Sequence, residues 1–172
     1  MNHYLESVKK FHKSFNHPVE NEIKEDNLEL RKLRLKLLFE EVEELSNAMG
    51  TDDTLHDLCE EVLSKVKNVG QYDKVETMDA LCDIQYVLSG AVLSLGYTKF
   101  DEAFDEVQRS NMSKMCESID VAKKTIEYYK NERGETQSMT FTPKGDKYIV
   151  VRSDGKIMKS ISYSPTELNR FI

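Results

Sequence analysis

Two stretches of the chain place acids where a helical pattern calls for leucine. At about 100° per residue, Leu38, Val42, Leu45 and Met49 form one stripe, which Leu30, Leu37 and Ala48 widen. Glu41 falls between that stripe and Leu37, and Glu44 between Leu33 and Leu37, so both interrupt an apolar arc side by side at i and i+3. Glu40 lies at the border, and Glu43 turns toward Lys32 and Lys36, where a solvated ion pair accounts for it. In the second stretch, Leu81, Ile84, Val87, Leu88, Val92 and Leu95 surround the helix axis, as in a helix buried all round. Yet Glu76, Asp79 and Asp83 fall within ~60° of one another, and no Lys or Arg occurs from Val75 to Thr98. Clustered carboxylates repel, and burying one without a partner is costly, so such a face needs a cation or protonation. Ligands that are all oxygen select a hard divalent ion, Mg²⁺ or Mn²⁺. The plainer alternative is that the acids line the wet end of a bundle or pair with Arg31, Arg34 or Lys114. A di-iron bundle would show paired Glu-x-x-His spacings. None occurs, and the nearest spacing, Asp53 to His56, lies on another segment.

A second group of side chains suits phosphate. Arg109, Ser110, Asn111, Ser113 and Lys114 crowd into six residues, offering a planar fork, hydroxyls, an amide and a point charge. A charged helix end would look the same, but beside a metal it becomes the opposite wall of a phosphate site. Phe11, His12 and Phe15 are candidates for a platform under a base, or else a staple that packs the first helix.

The elements that must position these groups are helical. Pro and Gly are scarce from residue 4 to 134, which predicts a helix over 4–15, a long one to Met49 opened by an Asp26/Glu29 capping box and ended by Gly50, and further helices over 54–69, 73–95, 100–107 and 118–133. Beyond Gly134 come β-prone runs at 140–142, 148–152 and 156–159, with Ser153-Asp154-Gly155 as the clearest hairpin signal, and Ser164-Pro165 opens a last short helix. The expected organisation is an all-α domain over 1–134, with a small β-hairpin and terminal helix over 135–172 as an appendage to it. Lys156 or Lys159 of that hairpin could lid the site.

Composition narrows the classes. Among 172 residues, 24 Lys and Arg face 31 Asp and Glu, a net charge of −7, with the cations scattered. That argues against nucleic acid as a partner. The three cysteines, Cys59, Cys82 and Cys116, are odd in number and form no Cys-x-x-Cys site, which fits a reducing cytoplasm. The start of the chain lacks a signal-peptide shape and no apolar run is long enough to span a bilayer, so no membrane is expected.

Several blocks together resemble a known family. Glu40-Glu41-Val42-Glu43-Glu44 is similar to the Glu-Glu-x-x-Glu signature of the MazG-like, all-α nucleoside triphosphate pyrophosphohydrolases, and Glu76-Thr77-Met78-Asp79 to their Glu-x-x-Asp. The opening Val8 to Pro18, the run Asp79 to Ile84, and Val107 to Lys114 resemble the phosphoribosyl-ATP pyrophosphohydrolase-like subgroup, related to dUTPase-type MazG proteins. The endings Gly155 to Ser160 and Tyr163-Ser164-Pro165 do so as well. The resemblance implies a helical bundle of the all-α NTP pyrophosphatase type, a homodimer or higher assembly, and hydrolysis of a nucleoside triphosphate to the monophosphate and pyrophosphate. It implies Glu41, Glu44, Glu76 and Asp79 as metal ligands, Glu40 as the group that activates water, and Asn111 and Lys114 as contacts to substrate phosphate or ribose. Asp83 would assist at the metal, and Arg109 with Lys114 would face the departing pyrophosphate. This chain has a longer gap between Glu44 and Glu76 than is usual for the family, and its residues 116–154 are expanded.

The sequence therefore predicts a Mg-dependent nucleotide pyrophosphohydrolase. Phosphoribosyl-ATP hydrolysis in histidine synthesis is one alternative. A non-catalytic, metal-holding helical assembly protein is another.

Overall fold

The computed structural model describes residues 2–23, 27–50, 58, 61–62, 64–65 and 72–172. Helix α1 (His3–Ser14) is capped by Asn2, whose side chain accepts from the Leu5 N–H. Helix α2 (Leu28–Ala48) is followed by α3 (Lys74–Ser94), α4 (Phe100–Met112) and α5 (Ile119–Asn131). Strands β1 (Met139–Lys144) and β2 (Lys147–Arg152) then form one antiparallel pair, and a 3₁₀ turn, Leu168–Phe171, ends the order. The mostly helical architecture with a small two-stranded sheet agrees with the sequence. The chain divides into two compact units, Met1–Val19 with Asp83–Ile172, and Glu20–Cys82.

The expected boundaries shift where side chains find better partners. The cap of α2 is Asn27, accepting from the Leu30 N–H at 3.1 Å, one residue after the expected capping box. Asp26 itself lies outside the described residues, as does most of 54–69, of which Leu58, Glu61, Val62, Ser64 and Lys65 are helical. Gly50 sits at φ 72°, the left-handed conformation that ends a helix without strain on a Cβ. Helix α4 runs five residues beyond the expected end at Val107. Ser and Asn are indifferent helix formers, but here Ser110 and Ser113 are held by tertiary bonds to the C-terminal segment, which carry the helix on.

In the larger unit the hairpin is structural rather than peripheral. Its chain reversal is Gly145-Asp146, with Gly145 at φ 66°, the glycine-first arrangement of a tight two-residue loop. The Ser153-Asp154-Gly155 turn instead leads β2 into a single bridge, Val151 to Ile157, so the run 156–159 is not a full third strand. Successive strand residues point to opposite faces, and both faces of β2 are covered. Val150 packs with Cys116, Ala122, Met139 and Met158, joined by Val121 and Ile126 of α5. Ile149 packs with Phe15 and Met115. Helix α1 lies along α4, where His3 Nε2 meets Asp105 at 2.7 Å, Tyr4 donates to Asp101, and Gln108 Nε2 donates to the Ser7 carbonyl at 2.9 Å.

The C-terminal segment is bound to α4 through one buried carboxylate. Glu106 receives Arg109 through Nε and Nη2, both at 2.7 Å, Arg170 Nη2 at 2.8 Å and the Glu167 N–H at 3.0 Å. Its side chain is 3% exposed. Arg109 also donates to the Pro165 carbonyl at 2.8 Å, and the Ser164 N–H to Ser113 Oγ at 2.9 Å. With the backbone of 164–167 engaged in this way, the helix expected from Ser164-Pro165 is replaced by the short turn that begins at Leu168. The Arg109 guanidinium above all, with the Glu167 N–H and Arg170, lowers the Glu106 pKa from 4.5 to about 2.

The smaller unit holds α2, where Arg31 lies over the Tyr72 ring at 5.7 Å. Neither α2 nor α3, which runs from one unit into the other, has a buried residue. Leu93 is 81% exposed, Val87 70% and Leu81 52%. Among the described residues, the all-round burial that the sequence predicts for α3 is not met.

Two outcomes follow from this packing. Ile149→Ala is expected to cost about 2–5 kcal/mol in urea unfolding, the usual range for emptying a filled aliphatic site. Glu106 favours the folded state most above its unfolded pKa of 4.5, and this contribution fades as pH falls toward about 2. The parent chain should therefore lose melting temperature over that interval, while Glu106→Gln starts lower and changes less with pH.

Candidate functional site

On α2, Glu40, Glu41 and Glu44 project from consecutive turns, and all three are exposed. Lys36 Nζ stands 3.7 Å from Glu40, and Lys32 pairs with Glu29 at 3.6 Å. Among the described residues, no ion pair of that kind reaches Glu41. Neighbouring side chains crowd its carboxyl and, with the negative charges of Glu44 and then Glu40, hold its pKa above the ordinary carboxylate value. On α3, Glu76, Asp79 and Asp83 follow at i, i+3 and i+7 on one exposed face. Asp73 opens that helix, accepting from the Val75 and Glu76 N–H groups at 2.9 and 3.1 Å.

The donor chemistry of these acids suits a hard divalent cation: every donor is a carboxylate oxygen, and the charge crowded at Glu41 is the kind a cation relieves. Among the described residues, no three acids, histidines or cysteines of the single chain stand close enough together to hold an ion. Among the described residues, these acids are not shielded: neither α2 nor α3 has a buried residue.

The phosphate-competent run after these helices separates into two groups. Arg109, Ser110 and Ser113 are committed to the fold. Arg109 is locked on Glu106, Ser110 Oγ bonds the Tyr163 hydroxyl at 2.9 Å, and Ser113 Oγ meets the backbone of Ser164. Asn111 and Lys114 remain on the half-buried surface, with Lys114 Nζ donating to Asn111 Oδ1 at 2.8 Å. Burial, and to a lesser degree the nearby charge of Lys159, push the Lys114 pKa down, while Tyr163 opposes them.

The three aromatic candidates divide in the same way. Phe15 is 2% exposed and belongs to the core, so it is the staple. His12 donates through Nδ1 to the Pro18 carbonyl at 2.8 Å and closes the turn after α1. Phe11 is half-buried, stacks on His17 with ring centroids 5.8 Å apart, and carries Lys114 Nζ at 5.5 Å from its own centroid. Lys156 lies at the turn after β2, whereas Lys159 sits over the Tyr163 ring at 4.6 Å. Sequence reasoning missed the burial of Glu106, because an acid at the wet side of an amphipathic helix gives no sign of the arginine that arrives 64 residues later.

Comparisons with known proteins bear on the same residues. Residues 8–111 match the phosphoribosyl-ATP pyrophosphohydrolase family, more than half of the chain. An uncharacterized protein, L479, of Acanthamoeba polyphaga mimivirus is 26% identical over 225 residues, covering 90% of this chain and 90% of its own. The crystal structure of a "putative NTP pyrophosphohydrolase" from Exiguobacterium sp. 255-15 matches with a TM-score of 0.60 at 22% identity, over 95% of this chain and 89% of that one, a likeness of fold. The family match takes in α1 from Val8, the acids of α2 and α3, and α4 as far as Asn111. With the fold and that span in agreement, the chain belongs to the phosphoribosyl-ATP pyrophosphohydrolase family and is a pyrophosphohydrolase.

Proposed function

We propose that this chain hydrolyses a ribo- or deoxyribonucleoside triphosphate to the monophosphate and pyrophosphate, with Mg²⁺ or Mn²⁺, in nucleotide house-cleaning or pool control in the cytoplasm. The observation that carries this reading is the crowded carboxyl of Glu41 beside Glu44 and Glu40, in a chain of this family. Glu41, Glu44, Glu76 and Asp79, helped by Asp83, would hold the ion. A bound divalent ion offsets triphosphate charge and lowers the pKa of water. Glu40 orients or deprotonates the attacking water, a task suited to an exposed carboxylate whose lysine partner is 3.7 Å away and only weakly held. Asn111 and Lys114 bind substrate phosphate or ribose. Phe11 and the edge of His12 offer a surface to the base. Arg109 and Phe15, already engaged by Glu106 and the core, act by holding these groups in position.

The chain is proposed to work as a homodimer or higher homo-oligomer. A helix apolar on all sides must be covered, and exposed apolar surface on this scale marks an association site. A second copy of α2 and α3 is the occupant these faces fit, since it brings matching leucine-rich stripes, and assembly would supply the shielding that the carboxylates lack in one chain. Among the described residues no helix is long and apolar enough to cross a membrane, and Cys82 and Cys116 are free.

A second reading is favoured by the family match itself, namely phosphoribosyl-ATP as the substrate. Growth of a histidine auxotroph lacking that step, with this gene supplied, would support it. Metal-dependent melting without turnover of any nucleotide would instead favour a non-catalytic assembly protein, since binding to the folded state raises the melting point either way.

The test is a pyrophosphate-release screen over ribo- and deoxyribonucleoside triphosphates with Mg²⁺ and with Mn²⁺. Activity with at least one substrate is expected, together with a loss on the order of a hundredfold or more in kcat for Glu41→Gln and for Asp79→Asn. Folded variants that release pyrophosphate at the parent rate would overturn the assignment. In light scattering the parent should have at least twice the 19.9 kDa chain mass, and Leu88→Lys should shift it toward the monomer.

A further inference from the structure

Helix α1 carries Glu6, Lys9, Lys10 and Lys13 at i, i+3, i+4 and i+7, so the four share one face. By the same geometry that face is turned away from Phe11, over whose ring Lys114 lies, and from the buried Phe15. The hairpin turn comes to this side of α1. Lys144 Nζ donates to the side-chain oxygen of Asn16, just beyond the helix, and so ties the turn to the helix end. Between the two elements is a cleft of about 460 Å³, lined by the acid and three lysines of α1, by Lys144 and by the buried Met115, all within the larger unit.

Four ammonium groups and one carboxylate thus line a hollow in a chain with seven more acids than bases. Among the described residues none of these four lysines forms an ion pair. Spacing is not the reason. Glu29 pairs with Lys32 and Glu61 with Lys65, three and four residues on, whereas Glu6 takes neither Lys9 nor Lys10 at the same spacings. The two lysines opposed across the hairpin also differ: Lys147 reaches Glu117 at 2.8 Å, while Lys144 is held by a neutral amide, which orients a cation without neutralising it. Lys9 and Lys144 are half-buried, where solvent screens a charge less.

We propose that this cleft binds the phosphate chain of a compact polyanion, a phosphoanhydride of two or more phosphates, between Lys9, Lys10 and Lys13 on one side and Lys144 on the other. Point charges gathered from two elements suit the many oxygens of such a chain, and the volume is that of a small-ligand site, about 300–1,000 Å³. No aromatic ring lines the cleft, so a base finds nothing to stack on. The site reads phosphate rather than base, and inorganic and nucleoside polyphosphates share it. The lysines converge on a hollow instead of following a strand-long stripe, and the net negative charge repels nucleic acid. Lys144 lies beyond the residues that match the family. The inference goes beyond the proposed function, which uses none of these side chains.

The experiment titrates the full chain with inorganic tripolyphosphate and with adenosine triphosphate by calorimetry in chelator-containing buffer, so that binding through a metal is absent. Similar affinities are expected for the two, falling as salt rises. Lys10→Met and Lys13→Met, both at exposed positions, should each weaken binding about tenfold, the loss of one charge-assisted contact. Lys13→Arg should restore it, and Glu6→Gln, which removes the carboxylate of the lining, should tighten it. All four variants should melt with the parent and keep its kcat for pyrophosphate release with Mg²⁺. These shifts in a parent that turns over no nucleotide would leave the anion site standing and remove the proposed function. Absence of tripolyphosphate binding by the parent, or affinities untouched in folded Lys10→Met and Lys13→Met, would overturn the inference. So would weakening confined to a single-stranded oligonucleotide or to phosphatidylserine vesicles titrated in parallel.

Discussion

The larger unit of this protein is organised around a single buried carboxylate. Glu106 is one turn from Arg109 on its own helix, yet its remaining bonds come from Glu167 and Arg170, more than 60 residues on. An ionised carboxylate taken out of water must have its oxygens filled by donors, preferably charged ones. Here four N–H groups fill them. The consequence is positional: the chain after the hairpin is drawn along α4, and with it come Ser160, Tyr163 and Ser164, which engage Lys114, Ser110 and Ser113. What lies beside the end of α4 thus depends on an acid buried within it.

A second constraint is the absence of cover. The larger unit has its own core, in which Ile149 and Val150 send adjacent side chains to opposite, equally filled faces. Among the described residues, helices α2 and α3 have no buried side chain, although their composition is that of interior helices. Hydrophobic burial is the dominant favourable term in folding, and association is proposed above as the source of that term for these two helices. The carboxylates at Glu41, Glu44, Glu76 and Asp79 sit on the same helices. Burial first, and then the charges of Glu44 and Glu40, hold the Glu41 carboxyl above its ordinary pKa, whereas Arg109 holds that of Glu106 below.

Much of this was legible from residue order. Helix ends at Gly50, Gly96 and Gly134 were marked by the one residue that accepts positive φ without strain, and Ser118 opens α5 as its side chain predicts. Illegible were choices between equals. Asp26 and Asn27 are both good caps; the Asn side chain reached Leu30. Arg109, Ser110, Asn111, Ser113 and Lys114 are all suited to phosphate, and only their partners separate those holding the C-terminal segment from those left on the surface. Phe11 and Phe15 are adjacent turns of one stripe, and one is core while the other faces a lysine.

The sequence by itself determined the local elements and the types of donor available: acids at helical spacing on two apolar helices, cations and amides on a third, and membership of a pyrophosphohydrolase family. These follow from periodicity, capping and side-chain chemistry, which act over a few residues. Which carboxylate would be buried, which arginine would be spent on it, and which of the phosphate-competent side chains would be engaged by the C-terminal segment were decided by tertiary structure. Those outcomes depend on contacts across 50 or more residues. No local pattern encodes such contacts, because the energy that selects them arises only when distant segments exclude water from the same few atoms.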